Sequence, residues 1–174
     1  MVSLKETIEK IESQIGIDDS IIVDGSSLLT EGSSDFFASL LLVLPRLKDK
    51  TLIIPIEGVN AVNEALDSKD ERLKKLADEA VTKWLSKASE YSQKKDSNLI
   101  FVGESVGVFS EKTVLNQVSF LSSDHNVLLI TQDQDLTIEA RNLRQKIDLK
   151  KHKLHCCKIM PDGRLGLYRI SSED

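Results

Sequence analysis

A chain of 174 residues, 40% of them apolar and 29% charged, can bury one full hydrophobic core but is short for two ordinary domains, so residues 1–174 are read as a single domain. No apolar run approaches the roughly 18 residues of a membrane span, and residues 1–16 are charged and helical in pattern, unlike a signal peptide. A soluble, cytoplasmic protein is expected. The net charge of −5 argues against non-specific coating of nucleic acid, but it leaves room for a local basic face or a carboxylate-lined metal site.

Cys156 and Cys157 are neighbours in sequence, where a disulfide would be strained and close almost no loop. A disulfide framework is excluded, which fits a reducing compartment.

Leu4, Ile8, Ile11 and Ile15 recur every three or four residues, which predicts an amphipathic helix ending at Gly16, an N-terminal extension over residues 1–17. Ile21-Ile22-Val23 is too short for a helix and rich in β-branched residues, as in a strand buried on both faces, with Asp24 at its carboxyl end. A turn-rich stretch through Gly32-Ser33-Ser34 leads to a helix carrying Phe36, Phe37, Leu40, Leu41 and Leu44, with Asp35 as its cap and Pro45 disturbing its end. Residues 51–56 form a second strand. Val59, Val62 and Leu66 then have helical spacing, with Asn63 and Glu64 in the first turns.

From 68 to 94 the apolar beat of Leu73, Leu76, Ala80, Trp84, Ala88 and Tyr91 predicts one long helix with a charged outer face. Strands at 98–102 and 126–131 alternate with helices at 111–121 and 136–144. This rhythm implies an α/β domain with a mostly parallel sheet of four to five strands. Pro161-Asp162-Gly163, between two apolar segments, predicts a C-terminal β-hairpin within residues 152–174.

Ligands of a parallel α/β sheet gather outside the carboxyl ends of its strands, and Asp24 and Asp133 each follow an apolar strand. Like charges brought together there repel unless a divalent cation neutralises them, and magnesium or manganese requires such hard oxygen ligands. Metal held by carboxylates lowers the pKa of a water, binds a phosphate oxygen and stabilises a leaving oxygen, which is the chemistry of phosphodiester hydrolysis. Either acid taken singly has a second reading, as the cap of the following helix.

Three blocks resemble the PIN-domain nucleases over residues 20–144. Ile21-Ile22-Val23-Asp24-Gly25-Ser26-Ser27 is similar to the family's first strand with its metal-binding aspartate. Ile53-Ile54-Pro55 leading to Val62-Asn63-Glu64-Ala65-Leu66 is similar to its second strand and glutamate-bearing helix. Val127-Leu128-Leu129-Ile130-Thr131-Gln132-Asp133 is similar to its late strand and Thr-x-Asp motif.

The resemblance implies a three-layer α/β/α fold and metal-dependent endonucleolytic cleavage of RNA, with Asp24, Glu64 and Asp133 as catalytic metal ligands for Mg2+ or Mn2+. Products with 5′-phosphate and 3′-hydroxyl ends follow from the same likeness. Two positions depart from the family pattern. Glu111 stands where the family carries an aspartate at a helix start and is the fourth catalytic and metal-ligand candidate; its other reading is a favourable charge at a helix N-terminus. Gly25 stands where a small hydroxyl residue is usual, with Ser26 as the substitute.

Arg144, Lys146, Lys150, Lys151, Lys153 and Lys158 stand against Asp148 alone, a run that reads either as a phosphate-contacting edge or as a solvated face; Lys150, Lys151 and Lys153 are the substrate-binding candidates, with Ser26. His152, His155, Cys156 and Cys157 have no second ligand pair at zinc spacing and are read as strand and loop residues. Asp135 is read as the cap of the helix beginning near Leu136, and Trp84 and Tyr91 as core.

Besides a nuclease acting on RNA, two readings stand. Asp133-Gln134-Asp135 also suits a Toprim-type phosphotransfer domain, although Asp24 takes the place of the early glutamate that fold wants. A degenerate PIN domain that docks RNA or a protein, such as an antitoxin-like regulator, is the non-enzymatic alternative.

Overall fold

The structure, a computed structural model, describes residues 3–16, 18–103, 110–121, 124–145 and 153–168, and the side chains of all of these except residues 4, 110–113, 144 and 145. Strands β1 (Ser20–Val23), β2 (Thr51–Pro55), β3 (Leu99–Val102), β4 (Val127–Ile130), β5 (Leu154–Ile159) and β6 (Leu165–Leu167) form one sheet in the order β3-β2-β1-β4-β5-β6. The first five run parallel, and β6 returns antiparallel to β5 after a turn in which Gly163 has a φ of 84°. The expected four to five strands thus become six. The first hairpin strand, β5, pairs along β4 from Val127↔Leu154 to Ile130↔Cys157 and extends the main sheet.

Helices α1 (Leu4–Ile15), α2 (Ser33–Val43), α3 (Ile56–Ala65), α4 (Glu71–Ala80), α5 (Ser86–Ser92), α6 (Ser110–Leu121) and α7 (Gln134–Gln145) connect the strands. Strand side chains alternate between two cores, as a pleat requires. Ile21, Val23, Leu52, Ile54, Leu128 and Ile130 pack with residues of α1 to α5, while Ile22, Ile53, Val127 and Leu129 pack with Val114 and Val118 of α6 and Leu136 and Ala140 of α7. Burial on both faces explains why β1 and β4 are continuous apolar runs.

Helix α1 begins with a Ser3/Glu6 capping box. It is more than an extension, because Ile11 and Ile15 are buried in the main core and the Gln14 side chain accepts the Leu165 amide at 2.9 Å. The long helix expected at 68–94 is found at 71–92, interrupted by a π-helical turn, Val81–Leu85, which places Trp84 against Phe37 with ring centroids 4.6 Å apart. Asp35 is not the cap of α2. Gly32 precedes that helix, and Asp35 sits in its first turn facing Lys83 at 3.3 Å. Among the described residues no helix is long and apolar enough to cross a membrane.

The chain steps outward from β1 to β2 and β3, then returns to place β4 on the other side of β1. The carboxyl ends of β1 and β4 therefore flank the reversal, the position where parallel α/β sheets open a crevice.

Candidate functional site

Asp24 and Asp133 meet at this reversal through one residue of β4's exit, Thr131. The Thr131 hydroxyl donates to Asp24 Oδ2 at 2.9 Å and accepts the Asp133 amide at 3.0 Å. Ser26 repeats the arrangement: its hydroxyl donates to the same Oδ2 at 2.5 Å and accepts the Gln132 amide at 3.0 Å. Both hydroxyls thus converge on one oxygen of Asp24, which is only 3% exposed, and lie 3.3 Å from each other. Ser26 thus hydrogen-bonds the aspartate from two residues past it.

The Gln132 side chain carries the arrangement outward. It donates to Ile159 O at 2.9 Å, accepts the Ile159 amide at 2.8 Å, and receives the Ser27 hydroxyl at 3.3 Å, standing in for a backbone ladder at the end of β5.

Asp133 has a second task. Its Oδ1 accepts the amides of Asp135 (2.9 Å) and Leu136 (3.3 Å), so Asp133, and not Asp135, caps α7. Tyr168 closes the site from the hairpin side, its hydroxyl donating to Thr131 O at 2.7 Å. Burial first, and then the charges of Asp133, Cys156 and Asp24, push its phenol up to about 12.

The remaining sequence candidates are distributed differently. Glu64 is exposed near the C-terminal end of α3. Glu57 occupies the first turn of that helix, just past the carboxyl end of β2, with its Oε2 shielded from solvent. Glu57 precedes Gly58 as Asp24 precedes Gly25, and these two glycines touch, a Cβ on Gly25 falling 3.2 Å from Gly58 Cα. Seven residues of helix set Glu64 about 10 Å farther along the axis than Glu57.

The same rule that singled out Asp24 and Asp133, an acid immediately past an apolar strand, points to Glu57, which the sequence reading passed over. Gly25 also gains a reason, since a Cβ there would require Gly58 of α3 to give way by a few tenths of an ångström.

Glu111 is the second residue of α6, and its side chain lies outside the described residues. Lys150 and Lys151 lie outside them as well. Lys153 is not brought to the carboxylates. It precedes β5, bonded to Asn126 and Val127 at the amino edge of the sheet, about 20 Å of strand away from the carboxyl edge.

His155 Nδ1 lies 2.9 Å from Asp18 Oδ1, and burial raises the Asp18 pKa despite that contact. Cys156 and Cys157 point to opposite cores, as strand residues do, and burial pushes the Cys157 thiol up to about 12.

Among the described residues no three His, Cys, Asp or Glu side chains lie close enough together to hold a metal ion. At the β1/β4 reversal Asp24 and Asp133 are the donors that a magnesium or manganese ion could use. Such ions are bound through one or two carboxylates and keep several waters or phosphate oxygens, and no described hydrogen bond reaches Asp24 Oδ1 or Asp133 Oδ2.

No protein-family model matches the chain, and no curated protein matches it.

Proposed function

We propose that the chain is a PIN-type, metal-dependent endoribonuclease whose centre is Asp24 and Asp133. The observation that carries this reading is the Thr131 hydroxyl linking the two aspartates at the carboxyl edge of adjacent parallel strands. A structural capping role for Asp133 does not require Asp24 to be buried and held by two hydroxyl protons. Asp24 Oδ1 is then the oxygen left for a ligand from outside the protein.

Asp24 and Asp133 would hold Mg2+ or Mn2+ as a two-carboxylate site, with Glu57 at the start of α3, in place of Glu64, as an acid beyond direct ligand distance of the pair, and Glu111 the candidate from α6. Bound there, the metal supplies charge stabilisation for an in-line displacement at phosphorus and lowers the pKa of the attacking water. The chain's own residues orient the site. Ser26 and Thr131 fix one oxygen of Asp24 and leave the other for ligation. Water adds to phosphorus, the P–O3′ bond breaks, and the products carry 5′-phosphate and 3′-hydroxyl ends.

The test is cleavage of labelled single-stranded RNA with Mn2+. Asp24→Asn and Asp133→Asn should each lower the rate by at least about 100-fold, the upper end of what removing an outer-shell partner of a metal ligand costs, and EDTA should abolish cleavage. A docking module is the second reading, favoured by the cap that Asp133 provides and by the absence of a three-acid group among the described residues. It expects no cleavage by the wild type and no thermal shift with metal.

A further inference from the structure

Tyr168, the last described residue, is held at three points. Its amide donates to Cys156 O at 3.1 Å, its carbonyl accepts Arg141 Nη2 at 3.3 Å, and its hydroxyl reaches Thr131 O at 2.7 Å. The ring is therefore tied to β5, to the helix that Asp133 caps, and to the residue that bridges the two aspartates. Over this ring, 5.9 Å from its centroid, sits the ammonium of Lys158.

Lys158 is exposed, stands next to last in β5 at the carboxyl edge of the sheet, and makes no ion pair among the described residues. A lysine on a long flexible stem is normally spread over many rotamers. Here a fixed aromatic face attracts the cation and restricts it. The result is an uncompensated positive charge, positioned one strand away from a carboxylate pair.

Resting on the nuclease reading, we propose that Lys158, seated on Tyr168, contacts a backbone phosphate of single-stranded RNA flanking the scissile one, so that the strand leaves the centre across the β5/β6 edge. Carboxylates repel the substrate's phosphates, and a strand crossing them needs a cation beyond the centre to hold it in register. Lys158 meets that need from the correct edge, whereas Lys153 lies at the opposite one. Tyr168 acts through Lys158 and Thr131 and is a positioning residue.

The experiment compares wild type with Lys158→Ala, Lys158→Arg, Tyr168→Leu and Lys153→Ala, with thermal melts as the check on folding. Binding of a labelled 12-nucleotide RNA is followed by anisotropy in EDTA over a KCl series, and cleavage kinetics are measured with Mn2+. Losing one phosphate contact should flatten the slope of log K against log salt by about 0.7 and weaken binding about fivefold at 0.1 M salt. Lys158→Ala should show both changes, with a raised KM and an unaltered kcat. Lys158→Arg should keep the slope, Tyr168→Leu should lose part of it, and Lys153→Ala should match wild type.

Cleavage with a slope and KM indifferent to Lys158 overturns the phosphate contact and leaves the nuclease reading intact. RNA binding that depends on Lys158 without any cleavage overturns the nuclease and keeps the contact. A wild type that neither binds nor cleaves RNA overturns both.

Discussion

The single hydroxyl proton of Thr131 goes to Asp24, which leaves its lone pairs for the Asp133 amide. Thr131→Val keeps the shape of this fully buried residue but removes one of the two hydroxyls that donate to Asp24 and strands the Asp133 amide. It should cost about 1–3 kcal/mol, read as a lower urea midpoint with an unchanged m-value, and Thr131→Ser should recover most of the loss. Cys157 makes a prediction in alkali. Its thiol is pushed from 9.0 to about 12 in the folded chain, so the unfolded chain gives up this proton first as pH rises. Stability is fully present below pH 9 and falls between about 9 and 12. Urea midpoints measured from pH 8 to 11 should decline, and Cys157→Ala should reduce the steepness of the decline.

Helix α3 is set against the exit of β1 by two glycines in contact. A Cβ at Gly58 would meet Leu28 Cδ1 at 2.9 Å and Gly25 Cα at 3.1 Å, while one at Gly25 would meet Gly58 Cα at 3.2 Å. Gly25→Ser, which puts a small hydroxyl residue directly after Asp24, should therefore destabilise this chain by about 1–3 kcal/mol through overpacking, a lower midpoint in urea being the sign. Glu57 lies beside this contact, at the start of α3. Glu57→Gln should depress RNA cleavage at least tenfold, and Glu64→Gln, exposed near the far end of the helix, should leave the rate within about twofold. Equal losses in the two variants would return the α3 role to Glu64.

At the scale of the whole molecule, the sheet order brings together acids that are more than a hundred positions apart in sequence, and a cation binding only the folded form must stabilise it. Free Mn2+ at 100 times its Kd contributes about 2.7 kcal/mol, or roughly 5–10 °C in Tm for a chain of this size. Wild type should show this shift, and Asp24→Asn and Asp133→Asn should not. Absence of a shift in wild type would favour the docking module.

Much of the architecture was legible beforehand because burial on both faces writes itself as short apolar runs, and Ile21-Ile22-Val23 and Val127 to Ile130 have no other stable use in a chain of this composition. Asp24 and Asp133 were legible for the same reason, as the first acidic residues past those runs. Which strand lies beside which was not, since pairing order leaves no local trace. That order joined β5 to the main sheet, sent Lys153 to the amino edge and Lys158 to the carboxyl edge, and set Tyr168 under Thr131.

Helical periodicity located α3 but could not tell which of its glutamates lies at the sheet edge, because that depends on where the helix starts and on the glycine contact that seats it. The sequence by itself determined the α/β alternation and the two edge aspartates, through burial and strand length. Only the tertiary structure decided what surrounds them, because those neighbours come from hydrogen bonds and packing between segments far apart in the chain.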